Sequence, residues 1–213
     1  SGERGIFNRE ASKKQAAKYG RRDSEWEFGT NPCSEIILRP YQFCNLTEVV
    51  VRATDTIESL ERKVRCATIL GTIQSSYTKF PYLRKVWQRN TEEERLLGVS
   101  LTGIMDNPLM TTTNKGLEKT LETLRKLSVS TNHLWSARLG IPASTAITCV
   151  KPSGTVSQLV DSASGIHARH SKYYIRTVRG DNKDPLTQFM KDQGVPSEPD
   201  VMKPDATTVF SFP

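Results

Sequence analysis

The sequence predicts an α/β fold with parallel strands, and three observations carry that reading. Two long stretches, one opening at Asp55 and one running from Leu117, repeat apolar residues at helical spacing. Short apolar runs bounded by glycine or proline lie between and after them, at 96–105 and 144–161. Strand and helix signals alternate at the spacing of crossover units rather than the close spacing of a sandwich. The composition suits such a fold: 213 residues, 36% hydrophobic and 25% charged, can bury one sizeable core or two small ones.

Taken in order, residues 1 to 30 are polar and glycine-punctuated, with a short helix expected near Arg9 to Lys18. Asp55 with Glu58 resembles a capping box, and Ile57, Leu60, Val64, Ala67, Leu70 and Ile73 continue as a helix to about Ser76. Cys66 sits beside that stripe and reads as a packing residue. LLGVSLTGIM, 96–105, reads as a buried strand. Leu117, Leu121, Leu124, Leu127, Leu134 and Trp135 mark a second long helix that Gly140 and Pro142 end, with His133 a packing or surface residue. STAITCVKPSGTVSQLVD, 144–161, reads as a strand, a tight turn and then a helix or second strand. YYIRTV from Tyr173 is a further strand candidate, and Asp184-Pro185 opens a short helix that closes at Gly194. The chain ends in TTVFSFP, an alternating run that looks cut inside or beside a strand, so a piece of a longer protein is expected. With no internal repeat and no low-complexity linker, one domain or part of one is the simplest division.

Thirty Lys and Arg against 23 Asp and Glu give a net charge of +7, which suits a nucleic-acid surface or an anionic substrate. The basic residues are scattered apart from Lys13-Lys14, Arg21-Arg22 and the RTVR run from Arg176, and they read mostly as solvated surface. No apolar run reaches the roughly 18 residues of a membrane span, and SGERGIFNRE lacks the features of a secretory leader, so no membrane targeting is expected, and the sparse cysteine usage suits a reducing cytoplasm. Cys33, Cys44, Cys66 and Cys149 are too sparse for a disulfide framework, and neither CxxC nor a zinc spacing with His133, His167 or His170 is present. A cysteine with a chemical task here would be catalytic, and no metal site is expected.

Two stretches carry chemistry. In NPCSE, Pro32 holds the chain extended, so alternation would send Asn31, Cys33 and Glu35 to one side: a hydrogen-bond anchor, a sulfur nucleophile or radical carrier, and a general base. A cysteine hydrolase using His167 or His170 has no supporting oxyanion signature around Cys33. In KPSGTVS, 151–157, the turn with Ser153, Gly154 and Thr155 offers backbone N–H groups and hydroxyls to an anion, without the spacing of a P-loop; an ordinary strand-to-helix turn has the same pattern. Arg169, Arg176 and Arg179 downstream would add charge.

NPCSEI, FCNLTEV, LLGVSLTGIMD, KPSGTVSQLVD and GIHARHSKYYIRTVR, in this order, closely resemble the catalytic subunit of ribonucleotide reductase, in particular its adenosylcobalamin-dependent class II. The resemblance runs over 1–213 almost without a gap. It implies a ten-stranded α/β barrel with a central finger loop, of which 1–213 would supply the loop and the following half-barrel, the N- and C-terminal parts of the family being absent. By resemblance Cys33 is the thiyl-radical cysteine, Asn31 and Glu35 hold the ribose hydroxyls with Glu35 the base for the 3′-OH, and Cys44 is half of the redox pair, its partner lying on an earlier strand. Ser153, Gly154, Thr155 and Val156 match the phosphate-binding turn. The implied cofactor is adenosylcobalamin; the implied partners are a ribonucleoside di- or triphosphate, the remaining segments of the subunit, and a thioredoxin-like or dithiol reductant. The expected activity is reduction to 2′-deoxyribonucleotides, with this chain inactive alone. A class I large subunit and a stand-alone basic nucleic-acid-binding module are the alternatives; the spacing of Cys33 and Cys44 resembles class II.

Overall fold

The structure, a computed structural model, describes residues 5–111 and 115–213. The chain divides into two compact units, Ser1–Ala168 and Arg169–Pro213.

The first unit opens with α1 (Arg9–Ala17), whose start Asn8 caps by accepting from the Ala11 N–H. A two-residue antiparallel pair follows, β1 (Gly29–Thr30) with β2 (Ile37–Leu38). Strand β3 (Asn45–Val50) lies parallel to β4 (Leu97–Thr102), with α2 (Ile57–Gln74) and α3 (Lys85–Glu94) between them in sequence. After β4 come α4 (Pro108–Thr111) and α5 (Lys115–Leu139). The segment 144–150 then runs parallel to β4 on its other side: Ala146 and Ile147 carbonyls accept from Leu97 and Val99, and Cys149 donates to Val99. α6 (Thr155–Leu159) closes the unit. Val49, Val51, Leu60, Val64, Leu97, Val99, Leu124 and Ile147 form one core where β3 and β4 meet α2 and α5.

The second unit is an antiparallel sheet, order β5 (Arg176–Asp181), β7 (Thr207–Phe212), β6 (Ser197–Pro199), with α7 (Pro185–Asp192). Phe210 is its fully buried centre, and Arg179 pairs with Asp200 at 2.7 Å. As the sequence suggested, Asp184 caps α7 and Gly194 follows it at φ +74°. The architecture is therefore mixed α/β: parallel pairing holds around β4, whereas β1–β2 and the second unit are antiparallel.

Three local expectations are corrected. The capping box of α2 sits one residue later, at Thr56 and Ser59, because Thr56 holds the extended cap conformation. Asp55 instead accepts from Arg52 N, Ser59 Oγ and Lys63 Nζ, closing the turn before the helix. Cys66 is exposed, and so is Leu70 at 62%. The buried face of α2 is completed by Thr68, Gly71 and Thr72, and that of α5 by Ser128, Thr131, Asn132 and Ser136 beside Leu124, while Leu134 is 53% exposed. Small polar residues are tolerated there because Thr68, Thr72, Ser128, Asn132 and Ser136 all find partners. Thr68 and Thr72 donate back to Val64 and Thr68 carbonyls, and Asn132 bridges Thr72 Oγ1 and Ser144 Oγ at 3.0 Å each while accepting from Ser144 N. The close approach this permits shows at Gly71, where an added Cβ would lie 3.3 Å from Leu97 Cδ2.

The third correction is Arg22, which is buried rather than solvated. Its Nε and Nη2 donate to the two carboxylate oxygens of Glu94 at 3.0 and 2.9 Å, and the two side chains are 4% and 5% exposed. Arg22 Nη1 donates to Ile37 O, and Nη2 also reaches Gln42, whose amide donates to Glu94. Arg39 extends the network to Asn90 and Glu93 and stacks on Trp26 at 3.8 Å. These contacts fasten β1–β2 to the end of α3. Glu94→Ala leaves the Arg22 guanidinium buried without its counter-charge, and a loss of about 3–5 kcal/mol is expected in urea unfolding. The double variant Arg22→Met, Glu94→Leu is expected to recover most of that loss, and an undiminished loss in the double variant would show that the pair is not the joint.

Candidate active site

The loop between β1 and β2, residues 31–36, is closed by its own first residue. Asn31 Oδ1 accepts from Ile36 N at 3.0 Å, Asn31 O accepts from Ser34 N at 3.0 Å, and Thr30 Oγ1 donates to Ile36 O. Ser34 takes φ +63°, so the loop turns instead of running extended. Strict alternation therefore does not hold: Cys33 is exposed at the tip, whereas the Glu35 Oε2 is buried with no hydrogen-bond partner.

Glycine at 98 seats the loop. A Cβ there would strike Leu46 Cδ2 and come within 3.1 Å of both Ile36 Cδ1 and Cys149 Sγ. The register pairs Leu46 with Gly98 and Glu48 with Ser100, so alternation along β3 places Cys44, Leu46 and Glu48 on the face that Ile36 and Cys149 cover. Glu48 Oε2 accepts from Ser153 Oγ at 3.0 Å, while Glu48 Oε1 is buried and unpartnered. Burial pushes the Cys149 thiol up to about 12, with the Glu35 carboxylate next and Glu48 adding to it against Lys151. Burial pushes Cys44 higher still, followed by Cys149, with Arg22 opposing and Glu35 reinforcing. Cys44, Cys149, Glu35 and Glu48 thus form one electrostatic cluster. Sequence reading gave neither Cys149 nor Glu48 a chemical task; period-two alternation from Cys44 was the signal for Glu48.

The turn at 153–156 leads into α6. Ser153 is fully buried, its hydroxyl committed to Glu48 and its carbonyl accepting from Ser157 and Ser164 hydroxyls. Gly154 is the N-terminal flank of α6, with φ −78° and no side-chain cap on the helix; Thr155 and Val156 are exposed. What the turn presents outward is backbone N–H and the Thr155 hydroxyl. The positive φ falls on Gly165, +55°, where a Cβ would lie 3.2 Å from Lys151 O. The strap 161–166 that contains it is fixed by Ala163 N to Asp106 at 2.8 Å, Gly103 N to Ala163 O at 2.9 Å and Gly165 N to Thr102 Oγ1 at 2.9 Å. His167 and His170 are exposed. Among the described residues no group of three or more His, Cys, Asp and Glu is placed to hold a metal ion, and no helix is long and apolar enough to cross a membrane.

The site is rich in acceptors and poor in donors. Two buried carboxylate oxygens without partners, each costing about 1–3 kcal/mol while unsatisfied, favour a ligand that brings hydroxyl donors. Beside them lie two thiols held protonated, suited to giving up hydrogen rather than to nucleophilic attack.

No family model matches the chain. It is similar along its whole length to proteins named adenosylcobalamin-dependent ribonucleoside-triphosphate reductase: 32% identity to that of Lactobacillus gasseri, covering 100% of this chain and 32% of the relative. The Euglena gracilis protein of that name is 29% identical over 98% of this chain and 28% of its own length. A crystal structure of a B12-dependent (class II) ribonucleotide reductase superposes with a TM-score of 0.68 at 28% identity, covering 86% of this chain and 29% of that one. The chain thus spans about a third of the length of the relatives it matches.

The four thiols should separate by environment. With burial holding Cys149 up to about 12 and Cys44 above the ordinary thiol range, the thiolate fraction of Cys149 at pH 8 is roughly a thousandfold below that of an ordinary cysteine. Iodoacetamide mapped by peptide mass spectrometry is expected to label exposed Cys33 and Cys66 first, with Cys44 and Cys149 slow and still accelerating above pH 10. Labelling of all four at one rate at pH 8 would contradict the buried cluster.

Proposed function

We propose that this chain is the central, site-bearing segment of a class II ribonucleotide reductase, carrying the finger loop and part of an α/β barrel that reduces ribonucleotides to 2′-deoxyribonucleotides. The observation that carries the reading is Glu35: a carboxylate with one oxygen buried and unpartnered, in a cluster with a protonated Cys44 and two residues from an exposed Cys33. The names of the relatives favour a ribonucleoside triphosphate as the substrate and adenosylcobalamin as the cofactor.

The residues present fit a radical source at one point, the exposed Cys33 thiol at the loop tip. Adenosylcobalamin, when bound, supplies the radical that removes the thiol hydrogen. Cys33 as a thiyl takes the 3′-hydrogen of the ribose, and Glu35 accepts the 3′-hydroxyl proton, which lowers the cost of the developing 3′-oxygen charge. The 2′-oxygen, protonated, then leaves as water. Cys44 provides one of the two thiol hydrogens that this reduction consumes, and Cys33 returns the 3′-hydrogen, so one disulfide is formed for each deoxyribose. The partner thiol of Cys44 belongs to the rest of the subunit, and a thioredoxin-like or small dithiol resets the pair. Asn31, its Oδ1 closing the loop, keeps its amide N–H2 for a ribose oxygen. The backbone of Gly154, Thr155 and Val156, with Ser153 anchoring the turn through Glu48, receives the phosphates.

In a complete enzyme containing this segment, Cys33→Ser is expected to abolish deoxynucleotide formation even with dithiothreitol supplied. Glu35→Gln is expected to lower kcat by about 10²–10⁴ with a smaller change in KM. Chromatographic quantification of the deoxynucleotide checks both, and turnover retained by Cys33→Ser would remove the assignment.

A further inference from the structure

A cavity of about 650 Å³ opens in the first unit between β4 with the segment 144–150 and the helices α1 and α5. That size suits a small organic ligand. Its body is largely apolar, formed by Leu97, Val99, Leu117, Leu121, Leu124 and Ile147, and Glu35 and Cys149 line it where it meets the candidate active site. One end is cationic: Tyr19, Arg21, Arg22 and Arg125 all line it.

The three guanidiniums differ in what answers their charge. Arg22 is committed to Glu94. Arg125 is held in a fork by Glu122 at 2.7 and 2.6 Å, a bond that keeps the Glu122 carboxyl at about 2. Arg21 has no carboxylate among the described residues, and its Nη1 is buried without a hydrogen-bond partner. Its neighbours reinforce the positive field: the Arg21 and Arg125 guanidiniums both lie over the Tyr19 ring, at 5.7 and 4.3 Å, and Lys18 Nζ approaches the same ring at 5.3 Å. Burial, and then Arg125, hold the Arg21 pKa below its ordinary value, as expected of a charge lacking a counter-ion. A half-buried guanidinium with one buried, unpartnered nitrogen and no counter-charge costs stability in the empty protein and gains a charge-assisted bond when an anion arrives.

We propose that this cavity binds a small molecule made of an apolar body and one anionic group, a carboxylate or a phosphate, which Arg21 receives while the body fills the space along β4. The cavity borders the candidate active site through Glu35 and Cys149, but Arg21 takes no part in the reductase reading, and the proposal stands whether or not that reading does, because its test reads binding to this chain alone.

The probe is 8-anilinonaphthalene-1-sulfonate, which carries one anionic group on an apolar ring system; N-phenyl-1-naphthylamine is the same ring system without the charge. Arg21→Gln is expected to weaken the sulfonate about tenfold or more, the consequence of losing one charge-assisted hydrogen bond. The uncharged dye should bind both proteins alike, and Arg21→Lys should keep sulfonate affinity within about threefold. Thermal unfolding should place Arg21→Gln no lower than the parent, since the long 5.7 Å contact over the Tyr19 ring that it gives up is offset by removal of an uncompensated charge beside Arg125. Displacement of the sulfonate by octanoate, by octyl phosphate or by both supports the proposal and tells the two anionic groups apart. The proposal is overturned if neither displaces it, if Arg21→Gln leaves sulfonate binding unchanged, if both dyes weaken equally, or if Arg21→Gln unfolds the chain at a lower temperature.

Discussion

The buried pair of Arg22 and Glu94 is the constraint on which the site depends. Taking both charges out of water is costly, and the cost is offset because further partners join the pair: Ile37 O and Gln42 accept from the guanidinium, and the Gln42 amide donates to the carboxylate. Ile37 opens β2, so the residue that finishes the network also ends the loop holding Asn31, Cys33 and Glu35. Glu94 ends α3, three residues before β4 begins. The loop and the strand beneath it are held in one frame, and a shift of either would leave a charge unanswered.

Within that frame the site is built from absences of bulk and absences of partners. Gly98 leaves the space that Leu46, Ile36 and Cys149 share, which lets the loop settle onto β4. Glu35 and Glu48 each keep a buried oxygen unpartnered. A fold that satisfies its buried Asn132, Thr68 and Thr72 so fully does not leave two carboxylate oxygens idle without a cost, and such local violations concentrate where a ligand completes them. The thiols follow the same logic. Burial next to carboxylates keeps Cys44 and Cys149 protonated, the state in which a sulfur gives hydrogen. Cys33, exposed at the tip, experiences no such enclosure and is open to chemistry from outside the loop.

Ser153 links the two halves of the candidate site. Its hydroxyl meets Glu48 on β3, and its carbonyl is gripped by Ser157 and Ser164, so the turn that precedes α6 is anchored from both sides. The strap around Gly165 lies close against that turn: at its φ of +55° an added Cβ would come 3.2 Å from Lys151 O and 3.5 Å from Ser153 N. The turn and the Glu48 carboxylate are thereby positioned by one hydrogen-bonded unit.

What the sequence determined by itself was local. The periodic stretches became α2 and α5, LLGVSLTGIM became β4, Asp184-Pro185 and Gly194 bounded α7, NPCSE became the loop between β1 and β2, and KPSGT became the turn into α6, because caps, turns and periodicity act over a few residues. The ordered motifs also carried the similarity that the relatives bear out. Tertiary structure decided the rest. It buried Arg22, turned Glu35 inward while leaving Cys33 outside, filled helix faces with threonine, serine and asparagine, and brought Glu48 and Cys149 into the site. Each of those outcomes depends on partners far apart in the chain, as Glu48 and Ser153 are 105 positions apart. The parallel register of Leu46 with Gly98 and of Val99 with Thr148 is what makes them neighbours, and no local pattern encodes it.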